Sequence, residues 1–430
     1  MLRFRVAVAG PLAAVMWLTS GAEASPQEVI GFGYRSVAMG TTGAAVGEGV
    51  DDVYGNPALL SLERDMTLEL GVTEALFHLY ADGPGMPGRV YVSPLRGNSI
   101  GALLPLPFGG ALEDRVTLGL GFFTPFDVVV RGRILYPDKP QFLLADRVQS
   151  VAVQAGLGAD VGYGVRVGAG FAALAALSGS VVVATDASGR IGTVVKDTLV
   201  ASYAPIVGAS YDVTEHYRAG LTFRGELVGR FNVVIEAKDL GQITIPPLNI
   251  SGVAQYDPYQ LSAEFARVDG PWEVAIGLTW KHWSAYPGPA EATVRCEDAP
   301  DPDAPCAPYA PPDPDYSDTV VPRAGADRAF VVAPGATVHL RAGYAFEPSP
   351  APAQEGATNY FDCHRSVFSM GWGLGFDEPL PRFGFDGFLQ LQLLHARDHD
   401  KTAAAGAVTE GTIETRGTIV AAGAAGKVRF

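Results

Sequence analysis

From Met66 onward the chain alternates apolar with polar or small residues at a period of two, in segments long for soluble strands. In Val338, Leu340, Ala342, Tyr344 and Phe346 one face is apolar, while the intervening His339, Arg341, Gly343 and Ala345 are polar or small. Trp272, Val274, Ile276, Leu278 and Trp280 oppose Glu273, Ala275, Gly277, Thr279 and Lys281 in the same way, as Leu389, Leu391 and Leu393 oppose Gln390 and Gln392. A soluble sandwich turns such an apolar face inward; a membrane barrel turns it outward and keeps the polar face inside. Aromatics recur near strand ends (Trp272, Trp280, Trp283, Trp372, Phe376), where interfacial girdles belong, and the chain ends on Phe430 of an alternating segment. The pattern therefore predicts an all-β protein, a transmembrane antiparallel β-barrel of about fourteen strands. The strands are expected at 66–81, 97–107, 113–131, 145–161, 163–184, 197–212, 215–236, 257–268, 271–286, 318–333, 336–347, 362–377, 382–397 and 410–430. An even count returns the chain to the side where it began. Short turns at 213–214, 269–270, 334–335 and 378–381 then fall on the periplasmic side, and long connections at 82–96, 132–144, 237–256, 287–317 and 398–409 face outside.

Composition supports this reading by exclusion. Charged residues make up 18% of the chain and hydrophobic ones 48%, enough apolar surface to exclude disorder. Beyond the first 24 residues the best apolar window, Val165 to Ala184, is broken by Gly168, Gly170, Ser178 and Gly179, which excludes a helical span. A net charge of −15 excludes nucleic acid as a partner. At the N-terminus Arg3 and Arg5 precede an apolar run from Val6 to Leu18, and Ala22-Glu23-Ala24 supplies a small-x-small cleavage site. Residues 1–24 thus read as a cleavable export signal, with the mature chain starting at Ser25 and lodging in the outer membrane of a Gram-negative-type cell. Cys296 and Cys306 form a candidate disulfide in a Pro/Asp-rich segment, which leaves Cys363 unpaired.

Catalytic and metal chemistry is thin. His395, Asp398, His399 and Asp400 crowd an expected external loop without metal-ligand spacing. Asp298, Asp301, Asp303, Asp313, Asp315 and Asp318 lack the EF-hand pattern. His282 and Ser284 share a strand face that the alternation turns toward lipid, so no catalytic site, metal or cofactor is expected. No phosphate-cradling GxxxxGK[ST] or energy-coupling N-terminal motif is present, which points to passive movement.

Ahead of the first strand lies GFGYRSVAMGTTGAAVGEGVDDVYGNPALLS, residues 31–61, whose glycines permit close backbone packing and whose Asn56-Pro57 is a turn signal. Its ending, Asn56-Pro57-Ala58, resembles the motif closing the N-terminal hatch of the FadL/TodX family of outer-membrane transporters for long-chain fatty acids and hydrocarbons. GLGFFTPF at 119–126, LTWKHWSAY at 278–286, LRAGYAFEPSPAP at 340–352 and RSVFSMGWGLGF at 365–376 follow in the family's order, and the terminal Phe430 resembles the C-terminal signal of bacterial outer-membrane barrels. The segment 287–317 departs from the family as an enlarged external loop. The resemblance implies a hatch or plug at 25–61 inside a barrel at 62–430, and passive uptake of a hydrophobic small molecule by a monomer embedded in the outer-membrane bilayer. A non-transporting scaffold barrel and a general diffusion porin are the alternatives. Pro125 removes a ladder donor, so Gly119, Gly121 and Pro125 predict a local disruption of the third strand; the other reading ends that strand at Phe123. In the family this strand carries an inward kink that makes a lateral opening. Lys281, Arg341 and Arg365 lie on the inward face as candidates for a carboxylate head group, or as cations that neutralise lumenal Asp and Glu.

Overall fold

Alternating strands bury their backbone groups only by pairing on both edges, and a closed wall achieves this. The computed structural model describes residues 25–126, 140–143, 151–185, 191–238, 248–288, 291–294, 313–356, 358–378, 380–401 and 411–430. The export signal 1–24, Cys296, Cys306, Asp298, Asp301, Asp303 and most of 287–317 lie outside the described residues. The wall is a closed antiparallel barrel of 14 strands. They are β1 (Thr67–Asp82), β2 (Leu95–Pro105), β3 (Val116–Pro125), β4 (Ala152–Gly162), β5 (Val165–Thr185), β6 (Ile191–Thr214) and β7 (Tyr217–Arg224). The second half comprises β8 (Gln260–Asp269), β9 (Trp272–Lys281), β10 (Thr319–Ala333), β11 (Ala336–Glu347), β12 (Arg365–Phe376), β13 (Arg382–Asp400) and β14 (Thr412–Arg429). The barrel closes where β1 pairs with β14 along its whole length, Thr67 opposite Arg429 and Asp82 opposite Glu414.

Facing follows the alternation. Ile276 and Leu340 are 60% and 55% exposed, while Gln390 and Arg341 on the other face are 1% and 4% exposed. Exposed Trp272, Trp372, Phe376, Phe383 and Phe430 gather near the turn end of the wall, and Tyr217 stacks on Phe265 at 5.6 Å.

One expected strand is corrected. The segment 215–236 leaves the wall at Arg224, where the Gly225 N–H donates to the Pro205 carbonyl at 2.8 Å, and β7 pairs directly with β8. Residues Leu227–Lys238 and Leu248–Asp257 instead form an external hairpin. Its first strand runs parallel to the upper part of β5, Asn232 opposite Ser178. The 24 residues of β6 reach about 80 Å at ~3.3 Å per residue, far beyond a ~30 Å hydrocarbon core, so the tops of β5 and β6 stand clear of the membrane and offer an edge to this hairpin. Period two marks both kinds of strand equally.

The N-terminal segment fills the lumen. It consists of α1 (Pro26–Val29), α2 (Tyr34–Ala38), α3 (Asp52–Gly55) and two 3-10 turns, Gly49–Asp51 and Pro57–Leu62. Its helices stay short because glycines interrupt them: Gly33 takes φ +84°, and a Cβ there would lie 2.0 Å from Asp51 Oδ1. Three apolar contacts seat it against three arcs of wall. Tyr34, Val37 and Ala38 meet Phe77, Phe388 and Ala421; Met39, Ala45 and Val46 meet Ala266 and Ala275; Val50, Val53 and Leu60 meet Leu103.

Candidate functional site

The hatch is held first by hydrogen bonds to its backbone. Asn56 is fully buried; its Nδ2 donates to the carbonyls of Ala44 and of Ala209 on β6, the latter at 3.0 Å, and its Oδ1 accepts from the Ala58 N–H at 3.0 Å. That last bond caps the turn Pro57–Leu62, which Pro57 opens with its preset φ. The wall makes room: a Cβ on Gly208 would lie 1.9 Å from Asn56 Oδ1. Two strands along the wall the Glu264 carboxylate of β8 accepts from the N–H groups of Gly43 (2.9 Å), Ala45 (2.9 Å) and Val46 (3.3 Å). Sequence reasoning missed Glu264, although a lone carboxylate at an inward position of an alternating strand marks it out.

A second layer is ionic and lies toward the turn end. Arg35 of α2 pairs with Glu273, reaches Asp327 Oδ2 at 3.6 Å and Glu48 at 3.9 Å. Lys427 bridges Glu48 (3.2 Å) and Asp386 (2.9 Å), and Arg429 also binds Glu48. Arg341 belongs to this layer, with its Nε 2.8 Å from Asp327 Oδ2 and its Nη1 on Asp386. The Lys427 ammonium beside Glu48, with Arg429 and Arg35, holds that carboxyl well below the usual range. Neighbouring Asp51 goes the other way: burial pushes it up to about 6, against the bond its Oδ2 accepts from the Ser36 N–H at 2.8 Å. Burial, with Glu63 and Asp51 close by, raises Asp52 well above its usual value.

Two cavities flank hatch residues 27–32. Toward the external side a polar cavity of about 60 Å³ is bounded by Glu28, Arg224, Lys281, Arg323, Glu347 and Arg365. Lys281 binds Glu28 and sits 2.9 Å from Glu347; Arg323 is 3.3 Å and Arg365 3.8 Å from the same carboxylate. Arg365 also donates to Gln392 at 3.0 Å. An apolar cavity of about 40 Å³ lies between hatch and wall, lined by Ile30, Phe32, Val37, Val50, Phe123 and Phe388 among others. Gln27, Ile30, Gly31 and Phe32 border both. Of the three candidate cations, the structure brings together Lys281 and Arg365 and sets Arg341 apart beneath the hatch, each with a carboxylate within ion-pair distance.

The disruption expected at Gly119 and Gly121 does not occur there. Pairing runs without a register shift from Gly97 opposite Pro125 to Pro105 opposite Thr117, and from Val116 opposite Ala159 to Phe123 opposite Ala152. These glycines serve the hatch instead: Cβ atoms would lie 2.6 Å from Val53 and 2.7 Å from Phe32. Pro125 ends β3, two residues beyond the last pair with β4.

Two further expectations are corrected. β13 runs to Asp400, so His395 and His399 belong to a strand rather than an external loop. His399 is buried, accepting from the Gln354 N–H and bonded to Thr415 Oγ1, both at 2.9 Å. β9 ends at Lys281, so His282 and Ser284 lie beyond it and not on a lipid-facing strand. They converge on Asp318, but His282 Nδ1 faces both Asp318 (3.1 Å) and Ser284 Oγ (3.2 Å), whereas a nucleophile relay needs the two ring nitrogens on different partners. Cys363 is buried beside Thr415 Oγ1 at 3.3 Å. No cluster of metal-ligating side chains occurs among the described residues.

Solved structures of low sequence identity have the same fold. A Pseudomonas aeruginosa FadL homologue is 14% identical over 97% of this chain and 99% of its own, with a TM-score of 0.60. The toluene transporters TodX of P. putida and TbuX of Ralstonia pickettii are 15% and 16% identical, each over 94% of this chain and 99% of theirs, with TM-scores of 0.53. At such identities the likeness speaks to fold. No curated protein sequence matches the chain significantly. Residues 15–425 match the family described as outer membrane protein transport protein (OMPP1/FadL/TodX). With a lipid-facing wall, a hatch closing its lumen and a family match over nearly the whole length, the chain belongs to the FadL/TodX family of outer-membrane transport proteins.

Proposed function

We propose that the protein carries hydrophobic small molecules, long-chain fatty acids or hydrocarbons, passively across the outer membrane as a monomer whose export signal is removed after Ala24. The observation that carries this reading is the shared border of the two cavities: hatch residues 27–32 separate a cation-rich chamber from an apolar one. An amphiphile with its head among Lys281 and Arg365 has its tail directed at Phe32 and Phe388, with about 0.8 kcal/mol gained per buried methylene. Cavities of this size admit a long ligand only as the hatch yields, which couples occupancy to hatch position. Gradient and partitioning drive the movement. Exit through the wall beside Pro125, where the pairing of β3 with β4 stops, spares the ligand a return to water.

Proteoliposome uptake of a labelled fatty acid and a neutral arene tests the proposal. Both are expected to enter faster than in protein-free vesicles, while single-channel conductance stays closed to ions and sugars. Uptake at the protein-free rate, or an open water-filled pore, overturns it.

A further inference from the structure

Asp257 ends the second strand of the external hairpin and is 5% exposed. Its Oδ1 lies 3.3 Å from the backbone nitrogen of Ser25, itself 1% exposed. Ser25 also caps α1, its Oγ accepting from the Glu28 N–H at 3.1 Å, which fixes the direction of that nitrogen. The carboxylate lacks a committed cation among the described residues. Lys281, the lysine acting on it, is held by Glu28 and Glu347, and Arg224 bonds Gln260 and stacks on Tyr54. Burial and the adjacent Glu28 accordingly push the Asp257 carboxyl up to about 7.

The Ser25 nitrogen is the atom that export processing alters. Hydrolysis of the bond after Ala24 consumes one water: the Ala24 carbonyl carbon takes the hydroxyl, the Ser25 nitrogen takes the hydrogen, and the resulting amine is protonated at neutral pH. We propose that removal of the signal creates the missing cation, the Ser25 ammonium, which forms a buried ion pair with Asp257 and fastens the start of the hatch to the external hairpin. The inference rests on the cleavage reading but goes beyond it: processing completes the seating of the hatch rather than merely releasing the chain. The surrounding charged and titratable groups are Glu28 on α1, Tyr54 on α3, Arg224 on β7 and Lys281 on β9.

The test uses full-length protein purified from outer membranes. Intact mass establishes the first residue; a chain starting anywhere but Ser25 overturns both the cleavage reading and the pair. With Ser25 first, the rate of α-amine acetylation is followed by peptide mass spectrometry across pH, because the midpoint of that profile reports the amine pKa independently of access. The paired amine is expected to titrate at least one unit above the ordinary ~7.7–8.0, with tenfold slower labelling at pH 7.5 than in the urea-unfolded chain. In Asp257→Asn, checked for a folded barrel by heat-modifiable migration, the midpoint is expected to fall below the ordinary value, since burial without a partner disfavours charge. A wild-type midpoint at or below the ordinary value overturns the ion pair, even where the variant fails to fold.

Discussion

The Oε1 oxygen of Glu264 and the backbone nitrogen of Ala45 lie 2.9 Å apart, joining barrel wall to hatch by a charge-assisted bond in which the hatch contributes no side chain. Such a clasp depends on the path of the hatch backbone rather than on which residues it carries. Replacing Glu264 with Ala strands buried N–H donors at Gly43, Ala45 and Val46. The seated state is expected to lose about 3 kcal/mol, a shift of roughly 100-fold toward release. Limited proteolysis within residues 25–61 measures it, with heat-modifiable migration of the barrel unchanged. Equal protease resistance in the variant rejects the clasp.

Gly208 faces Asn56 with no space for a side chain. Gly208→Val is expected to unseat the Asn56 cap and raise ion leak through the lumen, whereas Asn56→Ala costs about 1–3 kcal/mol by leaving buried carbonyls of Ala44 and Ala209 without its amide. Conductance of planar bilayers distinguishes these variants from wild type; a silent Gly208→Val removes the proposed steric contact.

Hatch seating is expected to weaken as pH rises from about 4 to about 6. The sign follows from Asp51: buried, it stays protonated up to about 6, whereas on a released hatch it ionises near its ordinary value of 3.8, so release gains free energy across that window. Asp52, also raised, extends the same trend upward. Glu48 acts oppositely, since its depressed pKa favours seating above its ordinary 4.5 and that contribution disappears only as pH falls through its still lower seated value. Proteolysis rates at pH 5 and 7 with a pH-insensitive protease decide the matter; a slower rate at pH 7 contradicts it. Asp51→Asn should flatten the dependence.

Ile276, 60% exposed in the middle of β9, should tolerate charge poorly. Ile276→Arg is expected to cost about 2–4 kcal/mol of barrel stability, and Val331→Arg, at the turn end of β10, about 0–1. Urea unfolding in lipid vesicles gives both numbers, and similar costs would mean that Ile276 does not face the hydrocarbon.

Arg365→Ala should slow uptake of carboxylate ligands about tenfold relative to neutral arenes, because Arg365 borders the polar cavity. Arg341→Ala should instead loosen the hatch for both ligand classes, since Arg341 joins Asp327 and Asp386 beneath it. A matching loss for both ligand classes in Arg365→Ala rejects the head-group role.

Much of the wall was legible because hydrocarbon outside and polar lumen inside impose a strict alternation: Leu389, Leu391 and Leu393 declare one face and Gln390 and Gln392 the other. The hairpin Leu227–Asp257 was not, because a strand protruding from the membrane carries the same period as one crossing it. Gly119 and Gly121 were misread since a strand glycine marks close approach without saying of what, and here Val53 and Phe32 approach from within. Lumenal cations were placed on the inward face correctly, but their partners could not be read: Lys427 meets Glu48 at 3.2 Å across 379 positions of chain. Such pairings are decided by how the hatch lies in the lumen, which no local pattern encodes.

Only residues 63–66 separate the last turn of the hatch from β1. A stopper on so short a leash cannot drift away once dislodged. Its effective concentration at its own seat stays in the millimolar range or above, so reclosure is a first-order event that needs no chaperone and no fuel. Ligand passage and resealing can thus cycle indefinitely on thermal motion alone.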